Sequence, residues 1–213
     1  MGCPRRGVVD PSFLLRGAVL GFAIAAPVGP IGALCIHRSL AGGRASGFAS
    51  GLGAATADAV YGALAAFGLT VVTAFLVDQQ TWLRLLGGAF LCYLGVRTLL
   101  ARPAEEAADV RKKGGLIAAY ASTFFLTLTN PMTILSFAAV FAGTGAGAGE
   151  DRDSMPFLVL GVFAGSALWW LLLSVGAGLF RGKVGSRGMR AVNLVSGVLI
   201  LAFGVAALPS AVW

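Results

Sequence analysis

The residues best suited to chemistry are one carboxylate and two proline-containing breaks, all in otherwise apolar stretches. Asp58 is the single charge between residues 45 and 77, about midway along a predicted membrane span. An ionised carboxylate at that depth costs roughly 2.5–3.5 kcal/mol, so we expect this group to take up and release a proton near neutral pH. This chemistry is what a proton-coupled carrier requires.

The alternative for Asp58 is a structural hydrogen bond, to a helix end or to Tyr61, which lies three residues later on nearly the same helix face. Tyr61 is then expected to orient the carboxylate, to line a substrate path, or to pack as an ordinary aromatic residue.

The two breaks occupy equivalent places in what look like two halves. The first apolar segment contains Pro27-Val28-Gly29-Pro30, and the fourth contains Thr129-Asn130-Pro131. Proline removes a backbone hydrogen bond that lipid cannot replace, so each break must face protein or a water-filled cavity. Asparagine before proline is typical of a helix start, because Asn130 caps free N–H groups and proline fits the first turn. Pro30 is expected to open a half-helix in the same way, with Gly29 supplying backbone freedom.

Two half-helices that start near mid-membrane predict a binding site. Helix N-termini carry partial positive charge and unpaired N–H donors, so two of them would attract a carboxylate. Carbonyls freed by the prolines would accept hydrogen bonds from an ammonium group. The pattern therefore favours a zwitterion such as an amino acid, with Thr127 and Thr129 adding hydroxyl groups. Mere packing kinks are the alternative, but paired breaks are the best sequence pointer to a transport site.

The elements that must hold these residues are membrane helices. The chain is 57% hydrophobic and 12% charged, and its mean hydropathy is +0.85, which excludes an ordinary water-soluble domain. Six apolar runs are each about long enough to cross a hydrocarbon core of roughly 30 Å: residues 17–36, 45–77, 82–100, 114–149, 154–180 and 191–213. Arg84 and Arg97, near the ends of the third run, are expected to reach the headgroups, and the tryptophans to be interface or packing residues.

The positive charge is interpreted as a signal for orientation. A formal charge of +7 and a pI near 10.0 are ordinary for a protein that concentrates lysine and arginine in cytoplasmic loops, so no nucleic-acid partner is expected. The connections after spans one, three and five hold eleven of the 16 Lys and Arg residues, which predicts both termini outside the cytoplasm. A cleaved signal peptide over residues 1–26 is the rival interpretation.

The fold predicted is an all-α integral membrane protein with six transmembrane helices arranged as two inverted three-helix repeats. Gly51 matches Gly161 at an offset of 110 residues, and Gly88 matches Gly197 at 109. The repeats cover about 13–101 and about 116–213, joined by a cytoplasmic linker at about 102–115, within one transporter domain over 1–213. Three spans per repeat force the second repeat to enter the membrane upside down. Small residues four apart let helices approach closely and would permit a homodimer.

No cofactor, metal site or enzymatic activity is predicted. Cys3, Cys35 and Cys92 form neither a CxxC motif nor a metal-ligand spacing. A convincing nucleophile and base pair is also missing. A transmembrane thiol–disulfide conduit remains open, but it would require Cys35 and Cys92 to meet.

Taken in this order, three stretches of the chain resemble the lysine exporter (LysE/RhtB) family of amino-acid translocators: Ala26–Pro30 with Gly32, Gly51–Tyr61 and Thr129–Phe137. The resemblance implies six spans in a bacterial cytoplasmic membrane and export of amino acids in exchange for protons. It gives functional weight to the residues at the breaks and to the carboxylate: Pro27, Pro30, Asp58, Asn130 and Pro131.

The resemblance leaves the substrate open. Many relatives have lysine at the position of Met132, and Pro-Gly-Pro where this chain has Pro-Val-Gly-Pro. The alternative function is a divalent metal-cation exporter of the same superfamily. Hard divalent ions need several oxygen ligands, whereas Asp58 is the single acidic residue within the predicted spans.

Overall fold

A computed structural model describes residues 11–27, 29–67, 78–100, 115–144 and 154–208. These residues form eight α-helices and one 3₁₀ turn, without a β-strand among them. The helices are α1 (Ser12–Ala25), α2 (Pro30–Gly42), α3 (Arg44–Ala66), α4 (Gln80–Leu100), α5 (Gly115–Leu128), α6 (Pro131–Thr144), α7 (Met155–Phe180) and α8 (Ser186–Ala207). The predicted linker, except residue 115, lies outside the described residues, as do Val28 and Cys3.

The described part of the chain has the all-helical, apolar character of an α-helical membrane protein. Three helical stretches are long and apolar enough to cross a membrane: Thr81–Leu100, Met155–Lys183 and Arg187–Ala207. The pair α1 and α2 meets the same criterion when taken together, with a bend of 86° between the two helices. Helix α3 has 23 residues but is less apolar, because it consists largely of Gly, Ala and Ser.

Both proline-containing segments interrupt their helices, as predicted. Helix α1 ends at Ala25 and α2 begins at Pro30, while α5 ends at Leu128 and α6 begins at Pro131. Asn130 caps α6, since its Oδ1 atom accepts a hydrogen bond from the Met132 N–H at 3.1 Å. The helix start predicted from the Asn-Pro pair is therefore confirmed.

Gly29 lies at the first break as predicted, but the prediction that the break needs its backbone freedom is wrong. Gly29 has φ −107° and ψ −159°, an extended backbone that does not require glycine. The left-handed conformation occurs instead at Gly43, with φ 96°, where the chain turns directly from α2 into α3. Within the described ranges, Gly43 is thus the glycine with a positive φ, a conformation that favours this residue type.

Helix α3 lies at the centre of the bundle. It packs against α2, α5 and α7, while α1 lies along α7 and α4 lies along α8. Small residues make these approaches close: a side chain at Gly161 or Gly165 would collide with the backbone of α1, and one at Gly53 would collide with the Tyr120 carbonyl of α5. The small-residue faces found in the sequence therefore serve contacts within one chain.

Arg38 belongs to the helix bundle and not to a loop. Its guanidinium donates hydrogen bonds to the Ser50 and Thr123 hydroxyls at 2.8 and 2.9 Å, and to Ser122 Oγ and the Ala119 carbonyl at 3.0 Å each. The group ties α2 to α3 and α5. Arg38 therefore has a structural use besides the orientation signal for which its charge was counted.

Candidate functional site

A cavity of about 720 Å³ lies between the two helix breaks. Residues of all eight helices line it, together with residues from both interruptions. The lining residues are Ile24, Ala25, Pro27, Gly29, Pro30, Ile31, Gly32, Ala54, Asp58, Leu83, Arg84, Gly87, Gly88, Leu91, Leu126, Thr127, Thr129, Asn130, Met132, Thr133, Ser136, Trp170, Phe203, Ala206 and Ala207. The volume is in the range of sites for small molecules.

The first break contributes a helix N-terminus to this wall. Pro30, Ile31 and Gly32 form the first turn of α2 and all line the cavity. The N–H groups of Ile31 and Gly32 have no carbonyl within α2 to bond, because the first N–H groups of any α-helix lack an intrahelical partner. A Cβ atom added to Gly29 would meet nothing within 4 Å, so the backbone here borders open space. An anion can approach this helix end closely.

The second break contributes another helix N-terminus. Asn130 precedes α6, and Met132 and Thr133 of its first turn line the cavity. Backbone N–H groups here are already engaged, since Met132 bonds the Asn130 side chain and Thr133 bonds the Asn130 carbonyl at 3.1 Å each. The partial positive charge of the helix end remains, because it comes from the aligned peptide dipoles of α6. Pro131 occupies the first position of α6.

The threonine hydroxyls at the second break donate to their own helix. Thr127 Oγ1 donates to the Thr123 carbonyl at 2.8 Å, and Thr129 Oγ1 donates to the Phe125 carbonyl at 2.9 Å. Both residues line the cavity. Since each hydroxyl has one proton, what these groups can offer to the cavity is an acceptor oxygen.

Asp58 lies in the cavity wall and is anchored to α7. The Ser166 hydroxyl donates to Asp58 Oδ2 at 2.6 Å, and Trp170 Nε1 donates to the Ser166 oxygen at 3.1 Å. The carboxylate is 3% exposed. The structural hydrogen bond considered for Asp58 therefore exists, with Ser166 as its donor, and it leaves the second carboxylate oxygen for other partners.

Tyr61 holds the second break instead of orienting Asp58. Its hydroxyl donates to the carbonyl of Leu128, the last residue of α5, and its ring packs against Phe137 with a centroid distance of 5.8 Å. The Leu128 carbonyl is one of the terminal groups that lack an intrahelical donor. Tyr61 is not one of the described residues that line the cavity.

Arg84 is a cavity residue that sequence reasoning assigned to the membrane surface. It lines the cavity from α4, together with Gly87, Gly88 and Leu91, which follow it at helical spacing on one face. A Cβ atom at Gly87 would lie 3.2 Å from the Thr129 hydroxyl oxygen, so this face of α4 rests against the second break. The place of Arg84 in the cavity wall was not predicted from the sequence, and its reach to the headgroups stays a prediction.

Trp170 and Ser166 were also missed as site residues. Trp170 is 4% exposed and lines the cavity, so it is a packing residue and not an interface residue. Its indole N–H also donates a hydrogen bond to Ser166. Ser166 lies in α7, and the sequence analysis did not single it out. Its contact with Asp58 joins residues 108 positions apart, which no local pattern reveals.

The described residues contain no group of three or more His, Cys, Asp or Glu side chains placed to hold a metal ion. Cys35 and Cys92 are both free thiols, and Cys35 is fully buried in α2. Within this part of the chain, the charged side chains of the cavity wall are Asp58 and Arg84.

Comparisons with known proteins give one consistent result. The family model described as LysE type translocator matches residues 22–210. The chain is 32% identical to the "Putative amino acid efflux protein YcgF" of Bacillus subtilis (strain 168), over 91% of this chain and 93% of that protein. It is 28% identical to the "Uncharacterized membrane protein YahN" of Escherichia coli (strain K12), over 65% of this chain and 63% of that protein. No solved structure matches the chain.

Proposed function

Because the chain belongs to the LysE type translocator family, we propose that it exports amino acids or close derivatives across the bacterial cytoplasmic membrane by alternating access. The observation that carries this proposal is that both helix breaks and Asp58 line the same cavity of about 720 Å³. The printed name of the Bacillus subtilis relative, an amino acid efflux protein, supports the same substrate class.

The cavity offers complementary groups for a zwitterion. The N-terminus of α2, with the N–H groups of Ile31 and Gly32, suits the substrate carboxylate. Asp58 suits the ammonium group or, in its absence, a proton. Exchange of substrate for a proton follows if the carboxylate of Asp58 binds one or the other but never both, because the two then occupy the site in turn.

This competition makes the carrier a proton antiporter. A neutral zwitterion moving out in exchange for one proton moving in gains about 2.3 kcal/mol per 100 mV of inside-negative potential, and about 1.4 kcal/mol per pH unit. A cationic amino acid exchanged one for one with a proton moves no net charge, so the pH gradient alone drives it. The two cases differ in their response to membrane potential.

The architecture proposed for this cycle is two inverted repeats of three spans, each starting with a broken span. In this assignment α1 with α2, α3 and α4 form one repeat, and α5 with α6, α7 and α8 form the other. The packing supports it: α1 lies along α7 as α5 lies along α3, which is the relation expected of a two-fold axis between repeats. The connections after spans one, three and five still hold most of the lysine and arginine residues when Arg38 and Arg84 are left out. This excess supports both termini outside the cytoplasm.

Reconstitution tests the function directly. Proteoliposomes are loaded with a radiolabelled amino acid, and efflux is followed with the external solution one pH unit more acidic and with equal pH on both sides. We expect the gradient to accelerate efflux through the native chain. We expect the Asp58→Asn variant to lose this acceleration, since an amide cannot take up and release the coupling proton.

Asp78→Asn is the matched control, because it makes the same chemical change at an exposed acidic residue. It is expected to respond to the gradient as the native chain does. Undiminished gradient-driven efflux through Asp58→Asn would remove Asp58 from the coupling role. Efflux of radiolabelled manganese from the same vesicles, with amino acids unmoved, would contradict the amino-acid assignment and favour the metal exporter.

A further inference from the structure

We propose that Arg84 binds the substrate carboxylate and, with Asp58 as the counter-charge, restricts the carrier to amino acids without net charge and with apolar side chains. The proposal rests on the proposed function and deepens it by naming the substrate class. The observation behind it is that Arg84 and Asp58 both line the same cavity.

The position of Arg84 is fixed by the helix that carries it. Arg84, Gly87, Gly88 and Leu91 occupy one face of α4, and all four line the cavity. Gly87 rests against Thr129 at the second break, and Gly88 lies against α8, with its nearest neighbour the Gly204 carbonyl. Because α4 is held on both sides by these glycines, its rotation about its axis cannot turn Arg84 out of the cavity without breaking both contacts.

A guanidinium is the side chain best matched to a carboxylate. It presents parallel N–H donors that can bond both carboxylate oxygens, and such charge-assisted pairs are roughly twice as strong as neutral hydrogen bonds. Arg84 is half-buried, which weakens competition from water. The positive ends of α2 and α6 add to the attraction, since Ile31 of α2 and Met132 of α6 line the same cavity.

The balance of charge then selects the substrate. Among the described lining residues, Asp58 and Arg84 carry opposite single charges, so the wall is neutral overall. A zwitterion carries the charge complementary to each group, with its ammonium at Asp58 and its carboxylate at Arg84. A second ammonium, as in lysine, finds no second carboxylate in this wall, and burying it unpaired is costly.

The remaining wall is apolar and determines the side chain preferred. Leu83, Leu91, Leu126 and Phe203 line the cavity between the polar groups. An apolar substrate side chain gains from leaving water for this surface, whereas a polar one would lose hydrogen bonds there. Leucine is therefore a suitable probe of the proposed class.

The test compares leucine with leucinamide, which lacks the carboxylate charge, and with lysine, which adds a cation. In proteoliposomes of the native chain we expect leucine to be transported with the highest apparent affinity. We expect Arg84→Gln to weaken the apparent affinity for leucine by about 10- to 100-fold, the loss typical of one hydrogen-bonded charge partner. The affinity for leucinamide should stay within about twofold, because leucinamide never used the guanidinium.

Two further variants separate binding from folding. Arg84→Lys keeps the positive charge and is expected to recover part of the leucine affinity, while Arg97→Gln removes an exposed arginine from the same helix and is expected to change neither affinity. If Arg84→Gln does not fold, thermal stabilisation of the native chain by each ligand gives the same comparison, with leucine raising the unfolding temperature more than leucinamide or lysine.

Equal losses for leucine and leucinamide in Arg84→Gln would overturn the assignment, because they would mark a structural role. Stronger transport or stabilisation by lysine than by leucine would overturn the substrate class while leaving amino-acid export intact. A native chain that transports no member of a panel of the standard amino acids under a pH gradient would instead refute the proposed function itself.

Discussion

Replacing Gly165 by alanine is expected to push α1 away from α7 and to disturb the site that α7 supports. A Cβ atom at Gly165 would overlap the carbonyl oxygen of Ala18 in α1, and its next neighbours are also backbone atoms of that residue. Backbone cannot rotate away as a flexible side chain can, so the helices themselves must separate. Ser166, the residue next in sequence, holds Asp58 at 2.6 Å, so the displacement reaches the carboxylate.

The magnitude follows from two opposing effects. Alanine gains about 0.8–1.0 kcal/mol over glycine in a helix interior. Overpacking against a fixed neighbour costs roughly 1–3 kcal/mol, and in a membrane the lost close packing is not replaced by a hydrophobic drive between helices. Gly176 in the same helix provides the matched control, because a Cβ atom there meets nothing within 4 Å. The two alanine variants should therefore differ by roughly 1–3 kcal/mol in free energy of unfolding.

The assay is thermal unfolding of both variants in detergent, followed by efflux in proteoliposomes. At roughly 2–4 °C per kcal/mol for a chain of this size, Gly165→Ala should unfold about 2–12 °C below Gly176→Ala. Gly176→Ala should match the native chain or exceed it slightly, with native efflux, whereas Gly165→Ala should lose transport as well. Equal unfolding temperatures for the two variants would refute the packing of α1 on α7.

Two smaller predictions concern the second break. Tyr61→Phe removes the donor to the Leu128 carbonyl but keeps the ring contact with Phe137. We expect thermal unfolding to show a loss of about 1–3 kcal/mol in the free energy of unfolding. Tyr93→Phe is the control and should change little, because Tyr93 is 57% exposed. An unchanged unfolding temperature in Tyr61→Phe would argue against this hydrogen bond. Asn130→Ala removes the cap of α6 and should cost about 1 kcal/mol, while Asn130→Asp keeps an acceptor oxygen and should cost less. Equal stability of these two variants would contradict the capping role.

The helix breaks could be predicted from sequence because their causes are local. Proline lacks an N–H group and asparagine bonds its own neighbouring backbone, so Asn130 and Pro131 announce a helix start wherever the rest of the chain lies. A single charge in a long apolar run likewise makes Asp58 stand out. The first break was placed correctly for its proline, but the conformation of Gly29 depends on the path between two helices, which local pattern does not give.

The partners of these residues could not be predicted, because they depend on how helices rotate and pack. Three-residue spacing put Tyr61 near Asp58, yet the bundle directs its hydroxyl to Leu128 in another helix. Arg84 lies near the end of a span, where proximity to the headgroups and a place in the cavity are equally compatible with the sequence. The signal that distinguishes them is the pair Gly87 and Gly88, since adjacent small residues mark the packed face of α4 and Arg84 precedes them by one turn.

The most direct test of the shared cavity is substrate protection of a thiol placed in its wall. Gly29→Cys has open space for the new side chain, and so does Gly182→Cys, an exposed control in the 3₁₀ turn Arg181–Lys183. Both are made in a transport-competent background without the native cysteines and are labelled with a thiol reagent while transported amino acid is added. We predict that the amino acid slows labelling at position 29 and leaves position 182 unchanged. Labelling at position 29 that is indifferent to a saturating, transported amino acid would contradict the account.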